Sequence, residues 1–238
     1  MTTDPLLLMG EVDAATSRLL RTAASFDAAD LAGASLLPGW TRGHVLAHLA
    51  RNADGLVNLL TAARTGTDLP MYASLAARNA DIETGSGRPP AEHLDDLRRT
   101  ADLFVEAVAA MPAEAWAATV RARLGPWPAA LLVWGRLREL EVHHLDLAAD
   151  YGAADWSDTF AHRLLREAAS QHATGPTPPS MVLRLDGSEH DVLLGDRAGA
   201  PIIAGPVSDL AAWLIGRADG GPLSVTPDGP LPTPPEWI

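Results

Sequence analysis

The chain has 238 residues, 47% of them hydrophobic and 20% charged, which is enough apolar content for a packed core and enough length for two domains. Its formal charge is −12, with 30 acidic against 18 basic residues, so it lacks the basic face that neutralises nucleic-acid phosphates. It has no cysteine, which excludes disulfides, thiolate metal sites and a cysteine nucleophile.

The first residues, MTTDPLLLMGEVDAATSRLL, carry neither the basic start nor the apolar stretch of a signal peptide. No segment reaches the roughly 18 uncharged apolar residues of a membrane span. A cytoplasmic protein that binds neither nucleic acid nor membrane is expected.

The first two-thirds reads as helix. Over 5–28, Leu6, Met9, Val12, Ala15, Leu19, Leu20 and Ala23 recur at steps of three and four, the spacing of one buried helical face. A connector over 29–40 ends in Leu36-Leu37-Pro38-Gly39-Trp40. Thr41 is a suitable N-cap for a second helix reaching about Thr65, with Val45, Leu46, Leu49, Leu56, Leu59 and Leu60 on its apolar side. A short helix is expected around 72–84, followed by a Gly/Pro-rich stretch. A third long helix spans about 91–111, and Pro112 stops it. Residues 113–126 read as irregular or partly extended, with Trp127-Pro128 placed to begin a fourth long helix over about 128–150. Four long helices with substantial connections predict a four-helix bundle.

The pattern then changes. After a helix at about 157–173, residues 180–186 alternate as a strand does, and short strands are expected within 190–194, 201–204 and 223–225. A helix is expected over 206–217, and the Pro-rich end reads as a surface wrap. The predicted fold class is mainly α, with a four-helix bundle over 1–153 and a smaller α+β domain over 154–238. No internal repeat is visible.

The strongest chemical signal lies in the fourth long helix. Glu139 and His143 stand four residues apart, so they stack on one face, with Asp146 three further along. A carboxylate and an imidazole one turn apart grip a cation together, and a third ligand must come from a facing helix. The second helix offers His44 and His48. His48 is favoured because it sits mid-helix between Leu46 and Leu49, whereas His44 lies near the cap. Three protein ligands leave one coordination position open, as catalytic zinc requires. Nitrogen and oxygen donors also admit nickel, manganese, iron or cobalt. The bland alternative is a solvated i,i+4 pair with no ion, with His143-His144 as one buried and one exposed imidazole. His93, His162, His172 and His190 have no partner at ligand spacing.

The segments LPGWTRGHVLAHLARNADGL at 37–56 and RLRELEVHHLDL at 136–147 resemble the mycothiol-dependent maleylpyruvate isomerase family, within the DinB-like group of metal-binding four-helix bundles. The segments MYASLAARNADIETGSGR at 71–88 and DLAAWLIGRADG at 209–220 are similar to it as well. The resemblance implies a zinc held by His48, Glu139 and His143, the trio also reached from spacing. Glu141 is a rival to Glu139, but Leu145 rather than a histidine follows it by four.

The reaction implied by the resemblance is the cis–trans isomerisation of maleylpyruvate to fumarylpyruvate in gentisate breakdown, with mycothiol as the thiol cofactor. A chain without cysteine needs such an external thiol, and an open metal site would lower its pKa. The substrate is a dianion, so a cationic anchor is required. Arg217 is the first candidate, both because it follows Gly216 at a helix end and because the resemblance places a functional arginine there. A plain interaction with the helix dipole is its alternative role. Tyr72 and Arg78 are candidates for the entrance and for cofactor binding, against simple surface contacts. Asp146 is expected to orient a ligand histidine, and Trp40 and Trp134 to be core residues. Two other readings stand beside this one. One is a mycothiol S-transferase acting on electrophiles, and the other is a non-catalytic metal-binding partner or sensor.

Overall fold

The computed structural model describes residues 4–123, 125–175 and 178–237. It divides into two compact units, Met1–Ala149 and Asp150–Ile238.

The first unit is built on four long helices: α1 (Met9–Ser25), α3 (Arg42–Thr65), α5 (Pro90–Ala109) and α6 (Leu132–Asp146). α3 packs against α5 and α6, and α1 packs against the same two, which closes a four-helix bundle. Leu19, Leu46, Leu49, Leu56, Leu59, Leu60, Phe104, Leu132, Leu137 and Leu140 fill its centre and are fully buried. Two shorter helices lie beside α3: α2 (Ala28–Ala32), which falls in the expected connector, and α4 (Leu75–Ser86), which starts at the Ser74 cap.

Local chemistry sets the ends of the two helices that matter most. Thr41 caps α3 by accepting from the His44 amide at 3.3 Å, while His44 Nδ1 accepts the Thr41 amide at 3.2 Å, a reciprocal capping box that uses an imidazole. His44 therefore faces the cap, and its Nε2 reaches Glu83 at 3.2 Å. α6 is shorter than the expected 128–150. Pro126 and Pro128 belong to an antiparallel hairpin of β1 (Thr119–Ala122) and β2 (Gly125–Pro128), a geometry that tolerates missing N–H groups at an edge. At the other end Ala148 takes a left-handed φ of 51°. The free carbonyls there are satisfied by Arg42, whose Nε donates to Leu147 at 2.7 Å and Nη2 to Ala148 at 3.0 Å. One arginine thus ties the start of α3 to the end of α6.

Gly43 marks a close crossing. A Cβ there would lie 2.2 Å from the Ser86 carbonyl oxygen at the end of α4, and backbone cannot swing aside as a side chain does. Gly43→Ala is expected to cost about 1–3 kcal/mol through overpacking. Thermal unfolding reads this directly, and an unchanged midpoint would refute the close crossing.

The second unit holds α7 (Asp158–Ala173), α8 (Val207–Leu214) and a four-stranded sheet of β3 (Met181–Leu185), β4 (Val192–Leu194), β5 (Ile202–Gly205) and β6 (Ser224–Thr226). The sheet order is β4-β3-β5-β6; β3 and β5 are parallel and the outer pairings antiparallel. α8 packs on α7 and against β3 and β5. β3 is central, so Val182 is buried along with Met181, Leu183 and Leu185 in place of strict alternation. Near the chain end, Trp237 Nε1 donates to Gln171 at 2.7 Å. Among the described residues no helix is long and apolar enough to cross a membrane.

Candidate metal centre

α3 and α6 face each other, and three side chains meet between them. His48 Nε2 lies 3.0 Å from Glu139 Oε2, and His143 Nε2 lies 3.4 Å from the same oxygen. The two imidazoles meet edge to face with ring centroids 4.6 Å apart. One donor atom from each residue falls within 4.8 Å of the others, the one such cluster among the described residues.

These spacings suit a common cation. Ligands about 2.0–2.1 Å from a tetrahedral zinc stand roughly 3.3 Å from one another. Two nitrogens and a carboxylate oxygen are a catalytic type of donor set, with room for a fourth, non-protein ligand. His143 Nδ1 is held at 2.8 Å by Asp146 Oδ2, whose side chain is fully buried. That bond orients the ring so that Nε2 faces the trio, a usual support for a ligand histidine.

Neighbouring polar groups point elsewhere. Glu141 is buried, and its carboxylate takes Arg18 of α1 at 2.5 Å. His144 is buried too, with Nε2 2.8 Å from the Thr22 hydroxyl. The adjacent imidazoles therefore serve different faces of α6, His143 toward α3 and His144 toward α1. His93 bonds the Ser86 carbonyl and His172 the Leu214 carbonyl, so both act as core polar links.

Arg78 and Tyr72 stand at the edge of the trio. Arg78 Nη2 donates to His48 Nδ1 at 3.0 Å, and its guanidinium lies 5.7 Å from the Tyr72 ring centre. Because a guanidinium only donates, His48 Nδ1 accepts and Nε2 holds the proton offered to Glu139. The chain just before Tyr72 is pinned to α3 by Asn58 Nδ2 donating to the Met71 carbonyl at 3.2 Å. Trp40 is half-buried rather than a core residue, and its ring stands edge-on 5.6 Å from His48. Trp134 is buried in the core. Arg217 belongs to the second unit, where its Nη1 donates to the Ile215 carbonyl at 3.2 Å.

Electrostatics divides the charge among the three. Burial pushes His48 down to about 4, more than its hydrogen bond to Glu139 recovers. Burial also opposes charge on His143, but bonds to Asp146 and Glu139 outweigh it and push this group up to about 9. Glu139 has burial against it, yet the two histidines hold it well below the usual carboxylate range. Burial raises Tyr72, and the Glu139 charge adds to that. Between about 4 and about 9, the metal-free trio therefore holds one neutral imidazole, one carboxylate and one imidazolium.

A metal ion must displace the His143 proton in that window, while His48 shifts its proton from Nε2 to Nδ1 and gives up the Arg78 bond. The ion's apparent affinity is expected to rise about tenfold per pH unit, with one proton released per ion. Calorimetry in two buffers of different ionisation enthalpy counts the proton, and release of none would contradict this assignment.

A bundle that converges two histidines and a glutamate on one point presents a candidate metal site with the donor set that catalytic zinc uses. The model of the mycothiol maleylpyruvate isomerase N-terminal domain family matches residues 12–148, and the chain belongs to that family. Its fold is similar to the crystal structure of the mycothiol-dependent maleylpyruvate isomerase, with a TM-score of 0.89 and 28% identity over 100% of both chains. It is equally similar to a histidine-to-alanine variant of that enzyme, with a TM-score of 0.90 and 27% identity, again over 100% of both chains. No curated protein matches the sequence. Family and neighbours together indicate an enzyme of the mycothiol-dependent maleylpyruvate isomerase kind.

Proposed function

We propose that the protein is a thiol-dependent cis–trans isomerase that converts maleylpyruvate to fumarylpyruvate in the cytoplasm, with a zinc ion at His48, Glu139 and His143 and mycothiol as its thiol. The observation that carries this reading is the convergence of those three side chains on one point in a chain of this family. When bound, the ion supplies a positive centre that lowers the pKa of a thiol and favours its thiolate at neutral pH.

The residues of the chain do the remaining work. Glu139 provides the one negative charge of the ligand set, so an ion, a thiolate and the trio together stay near neutral. Asp146 keeps His143 in the tautomer that leaves Nε2 free for the ion. Trp40 provides aromatic surface beside His48, which limits water around a reactive sulfur. Isomerisation requires the cis double bond to become single long enough to rotate. With no cysteine the chain has no sulfur nucleophile of its own, and a borrowed thiol meets that need. Arg217, Arg78 and Tyr72 are assigned to substrate and thiol binding, where a guanidinium fits a carboxylate.

The test is turnover of maleylpyruvate by metal-loaded protein with and without mycothiol. Fumarylpyruvate formed only with the thiol is the expected result. A metal-loaded protein that is inactive with the thiol would refute the reading. Conjugation of the thiol to a halogenated aromatic or an epoxide, in place of isomerisation, would refute it in favour of a transferase.

A further inference from the structure

Arg136 is among the largest fully buried side chains of the molecule, with 1% of its surface exposed. It stands three residues before Glu139 on α6, hence on the same face. Its Nη1 donates to the Leu49 carbonyl at 2.9 Å and to Asn52 Oδ1 at 3.1 Å, on α3 one and four residues after His48.

The charge on this group has no local explanation. Three other arginines of the bundle find carboxylates: Arg18 has Glu141, and Arg51 and Arg88 share Asp96 at 2.7 Å. Arg136 has none at ion-pair distance among the described residues, and its Nε and Nη2 have no protein acceptor there. Burial pushes its guanidinium down to about 10, against the attraction of Glu139, Tyr72 and Asp54. A buried, unpaired cation costs several kcal/mol. Tying α3 to α6 requires a donor but not a charge.

We propose that Arg136 is the anchor for one carboxylate of an anionic ligand bound beside the trio, so that the site takes a short dicarboxylate. The inference rests on the reading of the trio as the reaction centre. A planar guanidinium with two free N–H edges pairs bidentately with a carboxylate. That pairing restores the missing counter-charge and sets the ligand close to Glu139 and His48. Substrate charge, rather than a protein carboxylate, then completes the polar interior.

The experiment uses maleate, a cis-dicarboxylate, with full-length zinc-loaded protein, followed by calorimetry and by the shift in melting temperature. Wild type is expected to bind maleate. Arg136→Met is expected to lose roughly 10–100-fold in affinity, the worth of a charge-assisted hydrogen bond, while melting at or above the wild-type temperature. Arg136→Gln retains a polar donor without the charge and is expected to lose maleate to the same degree. Wild type that ignores maleate would overturn the proposal. So would Arg136→Gln that binds it as wild type does. The two readings separate cleanly: Arg136-dependent maleate binding without isomerase turnover sinks the proposed reaction and leaves the anchor standing. Turnover with maleate affinity unchanged in both variants does the reverse.

Discussion

His48→Ala is expected to purify with little bound metal and to have lost more than the ~10–100-fold that removal of a supporting partner costs a metal site. His48 is the candidate ligand on α3, whereas Glu139 and His143 both lie on α6. Without it the ion keeps two ligands one turn apart, a grip that bundle helices show at many surfaces without any metal. The fold should survive. His48 is neutral in the metal-free protein, and its removal leaves Glu139 still paired with the His143 imidazolium. Elemental analysis, far-ultraviolet circular dichroism and thiol-dependent turnover together check this. A folded variant with stoichiometric metal and full turnover would dissolve the site.

The choice of His48 over His44 illustrates how far local rules reach. Thr41 is an N-cap by residue type, and that alone places the third residue after it, His44, in the capping turn. The capping box confirms this geometry. His48 is one turn deeper, among fully buried leucines. Glu139 parts from Glu141 by the same logic, since only a residue four before His143 shares its face. The facing of α3 and α6 was legible too, because both helices carry ligand types at matching depth in a bundle.

What was not legible depended on contacts distant in sequence. The β1–β2 hairpin presses Trp127 onto Gly135, where a Cβ would fall 2.3 Å from the indole. Nothing in the local run of Pro126, Trp127 and Pro128 distinguishes that hairpin from a helix start. The early end of α6 depends on Ala148 in a left-handed conformation and on Arg42 reaching its carbonyls, whereas composition pointed to Gly152. Trp40 reads as core by its apolar bulk, yet it lies half-open against His48 because the loop before α3 turns back across the helix face. Arg136 gave no signal at all. A lone arginine on a helix is usually a solvated side chain, and only the packed bundle reveals it as buried and unpaired.

Asp146→Asn tests whether charge, rather than hydrogen bonding alone, supports the centre. The asparagine retains an oxygen that can accept from His143 Nδ1, so the ring can stay in place. The negative charge beside it disappears. Two effects follow from the geometry, and they act in opposite directions on metal binding. The imidazolium of the metal-free protein loses one of the two carboxylate charges that raise it, so its proton competes less with the ion near neutral pH. The bound imidazole, however, loses the carboxylate that increases its basicity and fixes its tautomer, and outer partners of this kind are worth ~10–100-fold in metal affinity or activity. The second effect acts at every pH. The first fades as the pH rises to the value of about 9 at which wild-type His143 sheds its proton. The deficit of Asp146→Asn relative to wild type is therefore expected to widen from neutral pH to above 9, as competition for the proton ceases to offset the weaker ligand. Metal affinity measured by chelator competition across that range decides the matter. A deficit that stays flat would show that Asp146 acts without altering the protonation of His143, and no deficit at any pH would remove Asp146 from the metal centre altogether.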